Sequence, residues 1–414
     1  MVSWEYPPVI VGGLGRHVHA LATELAAAGH EVVVLSRQPA GSDAETHPTS
    51  DDVRDGVRVL RVAEDPPHLE FDRDLVAWTL AMGHGLLRAA LTRIVPSWRP
   101  DVVHAHDWLV AHPAIALADV LQIPLVATIH ATEAGRYAGW LSSPLSRQVH
   151  SAEWWLAHRA DTLITCSAAM RAEVAELFDV DPDPIVVLHN GIAPRRWRAS
   201  PARVRAVRER YAPGEAPVLL YFGRLEYEKG VHDLVATLPR IRRAYPGTRL
   251  VAAGTGTAHD QLVAAAQTHR VRRSITFTGH LPDADLAALL RAVDAVVLPS
   301  RYEPFGIVAL EAAAAGAPLV ASTAGGLGEV VLDGETGVSF APGDVAGLAT
   351  AVGAVLADPR AAARRARAAR KRLGNTFQWN RIAADTASVY AAATYGGPAD
   401  HCRPKIPTGN VFGR

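Results

Sequence analysis

Short runs rich in β-branched residues recur along this chain between longer Ala- and Leu-rich segments, and this alternation constrains the fold more than any other feature. A strand can return parallel to its neighbour only through a crossover, usually helical, so the pattern predicts α/β architecture with parallel sheets. One series runs through Glu31–Leu35, Val57–Val62, Asp101–His104, Leu125–Ile129, Thr162–Thr165 and Ile185–Leu188. A second occupies Val218–Phe222, Arg249–Ala252, Ile275–Thr278, Ala295–Leu298 and Leu319–Ala321. Between them lie Asn190-Gly191 and a polar stretch with Arg195, Arg196, Arg198, Pro201, Arg203 and Arg205, the composition of a connector. The expected layout is a first domain over 1–194 and a second over 195–375. A C-terminal helix over 376–395 crosses back to the first domain, and a loose tail covers 396–414. A length of 414 residues suits two cores with a cleft between them.

Bulk properties exclude several classes. With 42 cationic and 42 anionic side chains the formal charge is zero, so no overall field draws in nucleic acid or an anionic membrane, and any anion site is local. The only cysteines, Cys166 and Cys402, make no disulfide framework and point to a reducing cytoplasm. No apolar run approaches the roughly 20 residues that span a bilayer, and no signal core follows the first residues. Met1-Val2-Ser3-Trp4 leaves little room for a full first strand, as a start placed a few residues late would explain. From Pro359 to Leu373 the chain carries Arg360, Arg364, Arg365, Arg367, Arg370, Lys371 and Arg372 without an acid, which reads as a solvated helix face rather than an anionic-surface contact.

Four segments carry chemistry. Gly12-Gly13-Leu14-Gly15 precedes a helical segment from Arg16 to Ala28, and glycines there let backbone N–H groups approach an anion at a helix N-terminus. Read alone, this segment is only part of a dinucleotide fingerprint, as is Gly254-Thr255-Gly256. Gly223-Arg224-Leu225-Glu226-Tyr227-Glu228-Lys229-Gly230 follows an apolar strand directly. There Arg224 and Lys229 can meet a diphosphate at the sheet's C-terminal edge, or can be surface cations neutralised by Glu226 and Glu228.

In Ser300-Arg301-Tyr302-Glu303-Pro304-Phe305-Gly306-Ile307-Val308-Ala309-Leu310-Glu311, Pro304 and Gly306 mark a helix entry. Glu303 then sits on the entry loop and Glu311 inside the helix. At about 100° per residue they would lie about 80° apart on a continuous helix, too skewed for a dyad acting on one bond. Finally His104-Ala105-His106-Asp107-Trp108 and Thr128-Ile129-His130-Ala131 each follow a strand. Their spacing is poor for zinc and suits hydroxyl recognition better, so no metal is expected. Trp4, Tyr6, Trp108, Tyr137 and Trp140 are candidate apolar platforms for a sugar.

Taken together, the glycine loop, the Arg224…Lys229 segment, Glu303 and Glu311 with seven residues between them, and Gly325-Gly326-Leu327-Gly328-Glu329 resemble family 4 of the retaining glycosyltransferases, up to about Ala393. Trp4-Glu5-Tyr6-Pro7-Pro8 and His104-Ala105-His106-Asp107-Trp108 resemble the glycogen-synthase-like branch, including actinobacterial α-1,4-glucosyltransferases of methylglucose lipopolysaccharide and glycogen-type glucan synthesis. The resemblance implies the GT-B fold, two Rossmann-like domains whose parallel sheets face each other across a cleft. It also implies glucose transfer from UDP-glucose or ADP-glucose to an α-1,4-glucan or related oligosaccharide, with no cofactor beyond that co-substrate.

Carried over by position, the resemblance places Arg224 and Lys229 on the donor diphosphate, Glu311 on the ribose and Glu303 on hydroxyls of the transferred sugar. His130 would lie against the 6-hydroxyl, and Asp107 near the donor sugar or the acceptor. Gly12, Gly13, Gly306, Ile307 and Val308 would surround the phosphates, and Gly279 and His280 the base. Glu5, Tyr6, Trp108 and Tyr137 are acceptor-side candidates. Glycogen synthases often have Lys where this chain has Ile10, a departure that bears on ADP-glucose specificity. Mannosyl transfer, maltose-1-phosphate synthesis and non-catalytic sugar-nucleotide binding share the same donor-side residues. Nucleotide base, acceptor length and oligomeric state are not encoded in these motifs.

Overall fold

The computed structural model describes residues 1–9, 12–38, 49–63, 69–211 and 213–395. Ile10, the position that departs from the family pattern, lies outside them, as do Cys402 and the segment 396–414.

The first half contains strands β1 (Val33–Arg37), β2 (Ser50–Arg54), β3 (Val57–Val62), β4 (Val103–His106), β5 (Leu125–Ile129), β6 (Thr162–Thr165) and β7 (Val186–Val187). They pair in the orders β1-β3-β2 and β4-β5-β6-β7. Val2 joins the two sets, bridging Leu35 and Ala105 in parallel, so the chain start takes the central place and the glycine loop leaves from it. The exception to parallel pairing is β2, which runs antiparallel to β3 in the register Ser50↔Arg61 to Arg54↔Val57. Asp55 and Gly56 turn that hairpin with φ of 51° and 78°, the left-handed conformation of a tight two-residue loop.

The second half carries β8 (Val218–Phe222), β9 (Arg249–Ala253), β10 (Ile275–Gly279), β11 (Ala295–Leu298), β12 (Leu319–Ser322) and β13 (Val338–Phe340). Their order is β10-β9-β8-β11-β12-β13, parallel throughout. Strands β8 and β11 are buried along their whole length, because helices cover both faces. The order reverses between these two strands. Their outgoing loops, 223–230 and 299–306, therefore diverge at the switch point where an open sheet leaves a crevice.

Two helices decide how the halves are tied. Trp379–Tyr395 packs Ile382 and Ala383 against Leu21 and Leu25 of helix Gly13–Ala27, so the C-terminal helix lies on the first half. The preceding helix, Pro359–Thr376, buries Ala362, Ala366, Ala369 and Leu373 on one stripe. That leaves Arg360, Arg364, Arg367, Arg370 and Lys371 exposed, the solvated face its period predicts. Arg372 instead turns inward and donates to the carbonyls of Glu329 and Val330, both at 2.9 Å. Among the described residues no single helix is long and apolar enough to cross a membrane.

Candidate active site

The loop leaving β8 lies directly against the loop leaving β11. Gly230 has φ 66°, and a Cβ there would sit 1.9 Å from the Pro299 carbonyl oxygen, so only glycine permits this approach. The contact brings Lys229 onto the neighbouring loop, with Nζ 3.0 Å from Glu303 Oε2, and both side chains are largely buried. Ser300 Oγ lies 3.4 Å from the same oxygen. Arg224, more exposed, meets Glu228 at 3.2 Å. Of the two cations singled out in the sequence, Lys229 thus pairs with Glu303 and Arg224 with a residue of its own loop.

Helix Ile307–Ala315 begins where these loops end, after Gly306 with φ 105°. The first turn of a helix leaves N–H groups unpaired within the helix, so the amides of Ile307 and Val308 are donors that an anion at this end would meet. The glycine loop of the first half reaches this end. A Cβ added to Gly13 would lie 2.8 Å from Ile307 Cδ1. The loop is held by buried Glu5, whose Oε2 accepts from the N–H groups of Gly12 at 3.0 Å and Gly15 at 3.4 Å. Tyr6 is also buried, with its hydroxyl 3.2 Å from His19 Nδ1. Glu5 and Tyr6 therefore support the loop from inside and offer no open face to an acceptor, whereas Tyr137 is 58% and Trp140 75% exposed. Trp108 is half-buried. Gly279 closes β10 with φ 67°, its carbonyl accepting from Gly254 N–H, and His280 beside it is exposed.

Inside the same helix Glu311 is buried, and its Oε1 accepts from Arg16 Nη1 across the two halves at 3.1 Å. Burial raises its pKa to about 7, opposed by the Arg16 charge.

Four imidazoles cluster within the first half, where His17, His104 and His106 are buried and His130 is partly exposed. His106 Nδ1 lies 3.2 Å from His130 Nε2, and His17 Nδ1 meets Asn190 Oδ1 at 2.6 Å. His104 is held by Thr128 Oγ1 at 2.7 Å and the Tyr390 hydroxyl at 2.6 Å. Burial lowers the pKa of all four rings, that of His130 to about 3, so they are neutral at physiological pH. Asp107 has φ 64°, uncommon for a residue with a side chain, and its Oδ1 accepts from the His130 N–H at 2.7 Å. Burial raises its pKa to about 7.

Among the described residues, His17, His106 and His130 present ring nitrogens within 4.8 Å of one another, a spacing that a metal ion could bridge. This group is not the His104, His106 and Asp107 set that the sequence juxtaposes. Two of the three rings already face each other, and the third is bound to Asn190.

Further contacts between the halves fall on residues to which the sequence assigned no role in joining them. The Tyr302 hydroxyl donates to Glu173 Oε1 at 2.8 Å and accepts from Thr132 N–H at 3.3 Å. Glu329 accepts from the N–H groups of Ala168 at 3.2 Å and Ala169 at 3.0 Å, the first turn of helix Ala168–Phe178, and lies 3.3 Å from His189 Nε2. Ser167 Oγ donates to the Pro304 carbonyl at 2.7 Å. Tyr302 and Glu329 stood inside recognisable motifs. Arg16 and Glu173 are single polar residues with partners far away in sequence, and nothing local distinguishes them.

Comparison with known proteins agrees with this geometry. Residues 11–196 match the family described as Glycosyltransferase Family 4, and residues 205–372 that described as Glycosyl transferases group 1. The chain is 61% identical over 412 residues to a glycogen synthase of Mycobacterium tuberculosis, covering 98% of this chain and 97% of that protein. It is 32% identical to an alpha-maltose-1-phosphate synthase of the same organism, over 94% of this chain and 98% of the other. Among solved structures, the sucrose-phosphate synthase of Thermosynechococcus elongatus superposes with a TM-score of 0.79 at 25% identity, over 94% of this chain and 97% of that one.

Proposed function

This chain belongs to the family 4 glycosyltransferases of GT-B fold, and from that premise we propose that it is a retaining α-1,4-glucosyltransferase of the cytoplasm. It takes glucose from UDP-glucose or ADP-glucose and adds it to an α-1,4-glucan or related oligosaccharide, in glycogen or methylglucose lipopolysaccharide synthesis. The observation that carries this reading is the Lys229–Glu303 contact at 3.0 Å, beside the N-terminus of helix Ile307–Ala315 and the facing Gly13. It brings a cation and a carboxylate together beside helix-end amides, while Asp107 and the partly exposed His130 stand on the first half. The full-length relationship to a glycogen synthase supports the choice of sugar and acceptor.

In the proposed reaction the bond from the sugar C1 to the diphosphate oxygen breaks as C1 gains oxocarbenium character. Lys229, Arg224 and the amides of Gly13, Ile307 and Val308 take up the charge growing on the diphosphate, with no divalent ion in that role. Glu303 accepts from hydroxyls of the transferred glucose, and Glu311 from those of the ribose. His130, neutral, meets the 6-hydroxyl. The acceptor hydroxyl attacks C1 from the face the diphosphate leaves, and its proton passes to a leaving phosphate oxygen, so configuration is kept. Tyr137 and Trp140 offer exposed rings for the acceptor.

The test is product analysis with UDP-glucose, ADP-glucose and GDP-mannose, each against maltooligosaccharides and glucose 1-phosphate. Extension of maltooligosaccharides by α-1,4-linked glucose supports the proposal. Transfer only to glucose 1-phosphate would replace it by maltose-1-phosphate synthesis, the reading favoured by the relative of that name. Donor binding with no transfer or hydrolysis would point to a binding protein.

A further inference from the structure

We infer that Arg16 is a positioning residue for the nucleotide-sugar, reaching from the first half to hold Glu311 as the carboxylate that receives the ribose, so that donor affinity depends on both halves. The inference rests on the reading of Glu311 given above. Four charged groups alternate in sign around this point. Arg16 Nη1 lies 3.1 Å from Glu311 Oε1, and its Nη2 lies 3.6 Å from Asp283 Oδ1. Arg196 Nη2 then meets Asp283 Oδ2 at 2.8 Å. These residues come from four places: helix Gly13–Ala27, helix Ile307–Ala315, helix Asp283–Ala292 and the turn Pro194–Trp197.

Glu311 needs such a partner because of where it sits. Its helix continues as Ala312–Ala315, wholly buried, and offers the carboxyl only apolar neighbours. In that setting burial favours the neutral acid, as Asp283 does by repulsion, while Arg16 and Arg196 favour the carboxylate. The protonation state matters to recognition. A carboxylate can accept from two vicinal hydroxyls at once, whereas a neutral acid presents one oxygen already bearing a proton. Charge-assisted hydrogen bonds are also about twice as strong as neutral ones.

Arg16 is further placed to couple two parts of the donor site. It stands three residues after Gly13, in the first turn of the helix whose glycine loop abuts Ile307. Whatever brings Gly13 to the diphosphate end of helix Ile307–Ala315 also brings the guanidinium to Glu311, one turn further along the same helix. Ribose and diphosphate recognition on the second half are thereby completed by one short segment of the first.

The test compares full-length wild type, Arg16→Met, Arg16→Lys, Glu311→Gln and Arg16→Met/Glu311→Gln, all checked by thermal melting. Donor KM, kcat and the pH profile of kcat/KM for donor are measured with whichever of UDP-glucose and ADP-glucose is turned over. Arg16→Met should raise donor KM about tenfold, an effect of about 1.4 kcal/mol, with a smaller change in kcat. Without the guanidinium, Glu311 stays neutral to higher pH, so the acid limb of that profile should move upward. Arg16→Lys should return most of the limb. Glu311→Gln should remove it, and the double variant should be no worse than Glu311→Gln alone.

A donor KM and acid limb unchanged in Arg16→Met, or additive losses in the double variant, would overturn the inference. Calorimetric titration of UDP and ADP gives the same comparison without turnover. An inactive wild type would therefore refute the functional reading while leaving the Arg16 comparison readable.

Discussion

The hydroxyl of Tyr302 donates to the carboxylate of Glu173 at 2.8 Å, joining the loop that bears Glu303 to a helix of the opposite half. The same hydroxyl accepts from Thr132 N–H, two residues after His130. One phenol thus sets the spacing between the carboxylate and the imidazole proposed to hold the transferred sugar. Removing it leaves a half-buried carboxyl and a backbone N–H short of a partner, a loss of about 1–3 kcal/mol. Tyr302→Phe is therefore expected to lower kcat more than it raises donor KM, and to depress the melting temperature modestly. Steady-state kinetics and calorimetry check both.

His130 should remain neutral throughout the working range. Burial drives its pKa to about 3. Its ring resonances, followed by nuclear magnetic resonance from pH 8 downward, should show no titration until about pH 4. A midpoint near that of a free imidazole, about 6.5, would contradict a neutral His130.

Glu153 gives a stability signature separate from catalysis. One oxygen accepts from Glu133 N–H at 2.8 Å, while Oε2 is buried without a hydrogen-bond partner. Burial raises the pKa from 4.5 to about 8. The folded state therefore holds a proton that the unfolded chain has released, and stability from this group is present at low pH and lost as pH rises from about 4.5 to 8. Glu153→Gln keeps the Glu133 contact and does not titrate. Its melting temperature relative to wild type should rise across that window and level off above it. A difference independent of pH would show that the acid is already ionised.

The strands were readable because β8, β11 and β12 are buried on both faces and so consist almost wholly of apolar residues. Strand β2 was not, since Ser50–Arg54 is a polar, half-exposed edge. The glycine-bearing loops could be found because they follow apolar strands, although the close approach that requires Gly230, to Pro299 on the next loop, is made across the sheet. Glu5 could not be assigned from its neighbours, for its task is to hold Gly12 and Gly15, seven and ten residues on. Arg16 and Glu311 are 295 residues apart, and no periodicity within one element encodes a contact made by two halves meeting.

Glu329 accepts from two N–H groups at the start of helix Ala168–Phe178, acting as a helix cap supplied by the other half of the molecule. Loss of a capping acceptor costs about 0.5–2 kcal/mol. Glu329→Ala should therefore loosen the association of the halves without altering the donor-side cations. Small-angle scattering should show a larger radius of gyration than wild type, with the difference narrowing when donor nucleotide and acceptor are added.

The central claim is that Lys229 stabilises charge that develops on the diphosphate as the sugar leaves. Lys229→Ala, assayed with saturating donor and acceptor, is its most direct test. The account predicts that kcat falls about 10²–10³-fold, the scale on which loss of a preorganised charge-stabilising donor is felt. A kcat equal to wild type with only donor KM raised would contradict it, showing that Lys229 binds the ground state and transition state alike.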